Sequence, residues 1–246
     1  MSTPPQPSHA PAPLACYFWS GEVIRSRSVS DLVLSGAVEL PAPSARLVTD
    51  WQREALLRLG IEPGDVEALS LPRARARWAD YSRCVATVSD WTRKLGLLNG
   101  LPSCDAALMA CRGAKYHHDA DQYGGAAFCN LFLSADKGLD LHFPGTDQRI
   151  PLQRGTVVVF DTGQPHAVIK RGSAGFDVSD FGPELDRLQI FLTWELPIES
   201  AELALALQIA FDVDPSTCPR LDQEQVWLNG ARAQVCADSG RWLAAD

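Results

Sequence analysis

The sequence predicts a mainly β protein, a β-sandwich or jelly roll, with α-helices packed around it. After Pro102, short runs rich in β-branched and aromatic residues follow one another, separated by glycine, proline and aspartate turns. Closely spaced short strands of this kind are typical of sandwiches and jelly rolls. Before Pro102 and near the C-terminus, apolar residues recur instead at helical spacing. We therefore expect one β-core with flanking helices.

The core is predicted to span about residues 104–197. Within it, five runs have the composition of strands, and turn-forming stretches such as PGTDQ and DTGQP separate them. The five predicted strands are residues 126–135, 138–143, 156–160, 166–169 and 187–196.

The segments before and after the core are predicted to support it. Apolar residues at steps of three or four predict helices over 44–60 and 74–95, within a helical region of about 44–100. The same pattern predicts a helix over 200–211, in a C-terminal region of 198–246. This region also contains Asn229-Gly230, a pair that favours a two-residue hairpin turn.

The N-terminus is predicted to be a disordered tail. Five prolines fall within the first thirteen residues, and proline removes backbone donors that helices and sheets need. We expect the tail to cover residues 1–14 and a single domain to cover 15–246.

Composition argues against several classes of protein. A formal net charge of −8 disfavours a nucleic-acid-binding surface, which is usually basic. No apolar run approaches the ~20 residues that a transmembrane helix needs, so no membrane interaction is expected. The seven cysteines are scattered without a CxxC pair, which indicates free thiols in a reducing compartment. The N-terminus lacks the features of a signal peptide, and we expect a cytoplasmic protein.

The stretch KYHHDADQYGG, residues 115–125, contains candidate metal ligands. In an extended chain His117 and Asp119 point the same way, with Cα atoms roughly 6.5 Å apart, while His118 points to the opposite side. Asp121 shares their side but lies about 13 Å from His117, too far for one ion. In a helix, His117 and Asp121 would be the natural pair, although the two following glycines and the lack of helical periodicity favour the extended form.

A third ligand can come from His166, which follows a buried-looking strand 47 residues after Asp119 (166 − 119). Two histidines and one carboxylate on a β-scaffold form the facial triad of non-haem Fe(II) oxygenases, which leaves three coordination positions open. By itself an HxD pattern also occurs in loops that bind nothing.

An ordered series of motifs gives this pattern a context. They are YHHD, CNLFLS, GLDLHFPG, PLQRGTVVVFD, PHAV and RLQIFLTW, within residues 112–196. In this order they resemble the 2-oxoglutarate- and Fe(II)-dependent dioxygenases, especially the prolyl-hydroxylase-like branch. The resemblance implies a double-stranded β-helix of the jelly-roll or cupin-like type, with His117, Asp119 and His166 as iron ligands. It also implies 2-oxoglutarate and O₂ as cosubstrates and hydroxylation of a small molecule or a peptidyl side chain.

The resemblance further implies a basic residue that binds the distal carboxylate of 2-oxoglutarate. Arginine suits this task because its planar fork meets a carboxylate with two hydrogen bonds. Arg187 opens the strand RLQIFLTW as the family's arginine does, but it lies 21 residues after His166, a longer gap than usual. Lys170 and Arg171 are therefore competing candidates.

Two further polar residues, Asn130 and His142, belong to the same predicted β-core as the ligands. Asn130 could hydrogen-bond the cosubstrate or act as a structural amide, and His142 is expected to be structural. A different class of function, a cupin-like metal- or ligand-binding module without redox turnover, is the alternative to the dioxygenase.

Overall fold

The structure is a computed structural model that describes residues 14–58, 63–97, 101, 106–182 and 185–245. Most of the predicted tail, residues 1–13, lies outside the described residues, and Leu14 already belongs to the first strand. The described strands are β1 (Leu14–Ser20), β2 (Val23–Ser28), β3 (Val33–Ala37), β4 (Val66–Leu69), β5 (Ala106–Cys111), β6 (Ala114–His117), β7 (Ala126–Phe132), β8 (Leu139–Phe143), β9 (Gln148–Pro151), β10 (Thr156–Asp161), β11 (His166–Lys170), β12 (Gln189–Pro197), β13 (Gln225–Leu228), β14 (Ala231–Val235) and β15 (Trp242–Ala244). The α-helices are α1 (Ala45–Arg58), α2 (Leu71–Arg75), α3 (Tyr81–Lys94), α4 (Ala120–Tyr123) and α5 (Ala201–Ala206).

Strands β5 to β12 form two antiparallel sheets, and β3 and β4 add to the edges of the larger one. The larger sheet has the order β3-β10-β7-β12-β5-β4, and the smaller has the order β6-β11-β8-β9. Along the chain the core strands pass back and forth between the two sheets, as in a jelly roll wound from a double-stranded β-helix. The predicted fold, mainly β with a double-stranded β-helix core and flanking helices, is confirmed.

Alternate residues of the larger sheet face two different cores. On β7, Ala127, Cys129 and Leu131 join the cluster that contains the buried side chains of α1 and α3. Phe128 and Phe132 point the other way, into the cluster between the two sheets. Because both faces are covered, every residue of β7 is buried, and apart from Asn130 the strand is a continuous apolar run.

The five predicted core strands are all present, but three elements of the core were not predicted as strands. These are β5, β9 and the N-terminal part of β6. Outside the core, the sequence also gave no indication of β1 to β4. Strand β1 lies at the centre of a third sheet, of order β15-β14-β13-β1-β2.

Helix α1 agrees with its prediction, whereas the helix predicted over 74–95 is wrong as one continuous element. The chain forms α2 and α3 instead, separated by a turn in which the N–H of Trp78 donates to the carbonyl of Arg75. The Trp78 ring turns into the core there and makes edge contacts with Trp51 and Tyr81. The apolar spacing continues across this turn, which is why periodicity alone did not reveal it.

The C-terminal helix is shorter than predicted. Helix α5 begins after Ser200 as expected, but Gln208 adopts a left-handed φ of 53°. The N–H of Ile209 then donates to the carbonyl of Ala204, a hydrogen bond that closes a helix C-terminus. The predicted hairpin is confirmed: Asn229 and Gly230 have φ values of 53° and 82° and join β13 to β14.

The six cysteines of the described part of the chain form no disulfide, as expected from their scattered positions. Within the same residues, no helix is long and apolar enough to cross a membrane.

Candidate metal centre

Three predicted ligands converge at one end of the smaller sheet. His117 ends β6 and His166 begins β11, and the two residues lie opposite each other in the strand pairing. Nε2 of His117 lies 3.7 Å from one carboxylate oxygen of Asp119, and Nε2 of His166 lies 3.4 Å from the other. One ligand atom from each of the three residues lies within 4.8 Å of the others. Two ligand atoms held ~2.1 Å from one ion at right angles lie about 3.0 Å apart, so little movement is needed to bind an ion.

The backbone fixes which imidazole nitrogen faces the centre. Nδ1 of His117 lies 2.7 Å from the carbonyl oxygen of Lys115, and Nδ1 of His166 lies 3.0 Å from that of Gln164. A carbonyl only accepts hydrogen bonds, so each Nδ1 carries the proton. Both Nε2 atoms therefore present a lone pair toward Asp119, which is the arrangement that a metal-binding histidine requires.

Asp119 reaches the centre by a turn and not by strand alternation. Its φ and ψ are −106° and 0°, and it is the N-cap residue of α4. Its N–H donates to the carbonyl of Thr162, which joins the first ligand loop to the loop before His166. The extended form predicted for this stretch thus holds as far as His117 and is wrong at Asp119.

The two other candidate ligands of this stretch, His118 and Asp121, lie away from the centre, as predicted. The ring of His118 packs 5.0 Å from that of Trp242, and its Nδ1 accepts the N–H of Ala120. Asp121 is exposed and lies 3.7 Å from Arg232, so the alternative pair of His117 and Asp121 is not formed.

The electrostatics of the three residues favour a cation between them. Burial lowers the pKa of His166 well below its usual value, and the nearby His117 adds to this, so His166 is neutral at neutral pH. Burial also raises the pKa of Asp119, although the two neighbouring histidines oppose this. A half-buried carboxylate beside neutral imidazole nitrogens is stabilised by a positive ion. The donor set fits Fe(II), the predicted metal.

A buried ion pair lies behind the two ligand loops. Arg27 and Asp161 are both fully buried, and the guanidinium donates to the carboxylate at 2.7 and 2.8 Å. Nε of Arg27 also donates to the carbonyl of Gly124, at the end of α4. Asp161 directly precedes Thr162, the acceptor for Asp119. The pair therefore holds both loops, and sequence reasoning did not identify it.

The metal centre borders a cavity of about 250 Å³ between the two sheets. Its floor is apolar, and exposure rises along β12 from Gln189 at 0% and Phe191 at 7% to Thr193, which is half-buried, and Glu195, which is exposed. The cavity opens at the Glu195 end. The wall residues are Val66, Ala107, Met109, Cys111, Ala114, Gln122, Tyr123, Phe128, Asn130, Phe132, Leu141, Val168, Phe191, Thr193 and Glu195, together with the three ligands.

Two polar side chains of the larger sheet point into this cavity. Asn130 on β7 pairs with Thr193 on β12. Oδ1 of Asn130 and Oγ1 of Thr193 are buried and have no hydrogen-bond partner among the described residues. A buried polar atom is costly unless something pairs with it, so these two atoms indicate a ligand with polar groups. Asn130 was a candidate from sequence, whereas Thr193 was not.

The three candidate basic residues for 2-oxoglutarate are placed differently. Lys170 donates to Asp180 at 2.6 Å, and Arg171 is held by Asp136 and Asp140. Arg187 is half-buried just before β12, and its Nη1 is buried without a partner among the described residues. None of the three lines the cavity.

Gln189, which sequence reasoning missed, lies between Arg187 and the cavity floor. It is fully buried, and neither its amide nitrogen nor its amide oxygen has a partner in the described part of the chain. Strand alternation puts Gln189 on the same side of β12 as Phe191 and Thr193, both of which line the cavity.

His142 lies on the outer side of the smaller sheet. Its Nδ1 is 2.6 Å from the hydroxyl of Tyr116, and its Nε2 is 3.0 Å from Asp147. With both ring nitrogens engaged and the cavity on the other side, His142 has the structural placement that was predicted.

The sequence matches no protein-family model and no curated protein. Among solved structures, a prolyl-4-hydroxylase from Pseudomonas putida is 19% identical with a TM-score of 0.39, over 67% of this chain and 92% of that one. The viral collagen prolyl hydroxylase of Paramecium Bursaria Chlorella virus-1, in complex with 2-oxoglutarate, is 12% identical with a TM-score of 0.36, over 67% and 94%. SnoN, a non-heme α-ketoglutarate-dependent epimerase from nogalamycin biosynthesis, is 15% identical with a TM-score of 0.38, over 70% and 83%.

At such identities and TM-scores, the function of this protein rests on its own residues.

Proposed function

We propose that this protein is an Fe(II)- and 2-oxoglutarate-dependent dioxygenase that hydroxylates a C–H bond of a small molecule or a peptidyl side chain. The observation that carries the proposal is the convergence of two Nε2 atoms and one carboxylate beside a cavity inside a double-stranded β-helix. Such a donor set occupies one face of an ion and leaves the opposite face for other ligands.

His117, Asp119 and His166 would hold the iron. When bound, Fe(II) together with 2-oxoglutarate and O₂ supplies the oxidative chemistry, in which 2-oxoglutarate is converted to succinate and CO₂ and the substrate gains a hydroxyl group. The chain contributes the fixed orientation of its two imidazoles through the carbonyls of Lys115 and Gln164.

The rest of the cavity wall would bind the organic molecules and keep water out. The ring centroids of Phe132 and Phe191 lie 5.1 Å apart at the floor, and the two rings separate that end of the cavity from solvent. Asn130 and Thr193 supply the hydrogen-bonding atoms that lack partners inside the protein.

Arg187 remains our choice for the distal carboxylate of 2-oxoglutarate. Support comes from its unpartnered Nη1 and from the neighbouring Gln189, whose amide also lacks a partner among the described residues. Lys170 and Arg171 are each neutralised by aspartate, so moving either to the cavity would leave a carboxylate without its cation. Gln189 stands between Arg187 and Phe191 of the cavity floor on the same side of the strand, so Arg187 would reach a ligand past Gln189.

The proposal is tested with the full-length protein loaded anaerobically with Fe(II). Incubation with 2-oxoglutarate and O₂ should form succinate, and Asp119→Asn should abolish this and reduce the iron content. Asp121→Asn is the matched control, because it removes the same charge two residues away and outside the ligand cluster. If the wild type neither forms succinate nor binds 2-oxoglutarate saturably, the proposal is wrong.

A second set of variants tests the carboxylate clamp. Arg187→Met should weaken 2-oxoglutarate binding, measured by calorimetry, at least about tenfold, as expected for loss of a charged hydrogen-bonding partner. Lys170→Met and Arg171→Met should leave the dissociation constant unchanged. Weakening by Lys170→Met or Arg171→Met, but not by Arg187→Met, would reassign the clamp.

One observation favours the cupin-like binding module as a second candidate. Among the described residues that line the cavity, none is a lysine or arginine, so no positive side chain meets a dicarboxylate there. Metal content after anaerobic purification separates the two candidates. So does the visible absorption that 2-oxoglutarate induces in the Fe(II) form of a dioxygenase and not in a Zn(II)-binding module.

A further inference from the structure

The open end of the cavity differs chemically from its floor. The floor is formed by phenylalanine and aliphatic side chains, whereas Glu195, Gln122 and Tyr123 line the mouth. Glu195 is exposed, and among the described residues of the cavity wall its carboxylate is the one acidic group that the metal centre does not use. What this carboxylate binds is the question that the mouth raises.

No cation of the described residues neutralises Glu195. The cavity lining contains no lysine or arginine, and its other carboxylate, Asp119, is one of the proposed metal ligands. Glu195 therefore leaves a negative charge at the mouth that attracts positive groups.

An aromatic surface lies beside this carboxylate. Phe128 stands opposite Glu195 in the pairing of β7 with β12. The Tyr123 and Phe128 rings meet edge to face, with centroids 5.1 Å apart. An exposed carboxylate next to aromatic rings is a combination that binds ammonium and guanidinium groups, because the ring faces carry negative potential.

The wall just inside the mouth adds hydrogen-bond acceptors. Thr193 follows Glu195 inward on the same side of β12, and Asn130 faces Thr193 from β7. Both oxygens are buried without a partner among the described residues. From the mouth inward, the wall thus offers a carboxylate, a hydroxyl and an amide to the donors of a ligand.

We propose that the substrate carries a positively charged nitrogen, which Glu195 binds at the mouth against the Tyr123 ring, and that the substrate's N–H donors reach Thr193. This deepens the proposed function by naming the substrate class, and it rests on that function only for the reaction that follows binding. The carbon chain attached to the nitrogen would extend along the apolar wall toward the metal.

The test uses two probes of equal size and different charge, n-butylammonium and n-butanol. Each is titrated into the full chain loaded with Zn(II), which prevents turnover, and dissociation constants are read from NMR chemical-shift changes. We expect n-butylammonium to bind about fivefold more tightly than n-butanol, the upper range for a partly exposed ion pair. Equal binding of the two, tighter binding of n-butanol, or no binding of n-butylammonium would overturn the proposal.

Variants locate the preference at the mouth. Glu195→Gln should remove the advantage of n-butylammonium over n-butanol while leaving the n-butanol constant unchanged. Glu202→Gln is the matched control, because Glu202 is a surface residue of α5 and does not line the cavity. If Glu202→Gln removes the preference, or Glu195→Gln does not, Glu195 is not the binding group.

The outcome separates this inference from the proposed dioxygenase. A charge preference in the Zn(II) form, without succinate formation in the Fe(II) form, would sustain the cation site and refute the oxygenase. The reverse result would refute the cation site alone. A third probe, Nα-acetyl-lysine N-methylamide, assigns the source: binding tighter than that of n-butylammonium indicates a peptidyl lysine, and weaker binding indicates a free amine.

Discussion

Replacing Asp161 by alanine should destabilise the protein more than any surface change. The carboxylate accepts from Arg27 at 2.7 and 2.8 Å and from the N–H groups of Ser30 and Gly163, both at 2.8 Å. Burial by itself would lower the pKa of Arg27, and the Asp161 carboxylate more than reverses this, so the guanidinium stays charged. Asp161→Ala leaves that buried charge uncompensated, which costs about 3–5 kcal/mol, and removes the acceptor of two buried N–H groups.

We therefore expect Asp161→Ala to lose at least about 4 kcal/mol of unfolding free energy, or roughly 8–16 °C in Tm for a chain of this size. Urea denaturation followed by circular dichroism measures the loss. Asp212→Ala is the control, because it breaks the exposed pair with Arg25 and should cost less than about 1 kcal/mol. Arg27→Met/Asp161→Leu should be more stable than Asp161→Ala, since it leaves no unpaired charge.

Equal losses for Asp161→Ala and Asp212→Ala would refute this reasoning. The reasoning would also be refuted if Arg27→Met/Asp161→Leu lost as much unfolding free energy as the two single variants lose in sum. At a temperature where Asp161→Ala remains folded, its metal affinity should also fall about 10- to 100-fold, as for other groups that orient metal ligands.

Three further predictions concern separate parts of the molecule. Burial lowers the pKa of His142, so below pH ~6.5 the unfolded chain binds more protons than the folded one, and the free energy of unfolding should fall as the pH drops from that value. Urea titrations at several pH values measure this dependence, and His142→Gln should make it weaker. Burial raises the pKa of Cys111 to about 12, whereas a hydrogen bond from Ser239 lowers the pKa of Cys236. Iodoacetamide should therefore modify Cys236 before Cys111, which peptide mass spectrometry would show. Gly155 has a φ of 89°, and a Cβ there would lie 2.0 Å from a backbone carbonyl oxygen, so Gly155→Ala should lower the free energy of unfolding by at least about 2 kcal/mol. Gly172 has a φ of 80° but open space around it, so Gly172→Ala should lower it by only about 1 kcal/mol.

The convergence of the three candidate ligands could be predicted because its signal lies in short stretches of sequence. His117 and Asp119 are two residues apart, and His166 follows a strand rich in β-branched residues. Asp119 does face the two histidines, but the reason given for it was partly wrong, since a turn into α4 and not strand alternation directs the carboxylate. Two residues that share a motif can converge through more than one local conformation.

Residues whose role depends on strand register could not be predicted. The pairing of Arg27 with Asp161 joins positions 134 residues apart, and no local pattern relates them. Thr193 and Glu195 were accessible in principle, because alternation along RLQIFLTWEL places them on the same side as Arg187. Their importance became visible only when the structure showed which side faces the cavity and which end is open.

The positions of the three ligands along the chain also determine how the protein folds. His117 and His166 pair at a sequence separation of 49 residues (166 − 117), and the chain between them includes β7 to β10. Contacts of such long range form slowly, because the entropy of closing the loop is lost before the contact is gained. A metal bound only by the folded chain adds about 2.7 kcal/mol at a concentration one hundred times its dissociation constant. The ion would therefore slow unfolding more than it speeds folding.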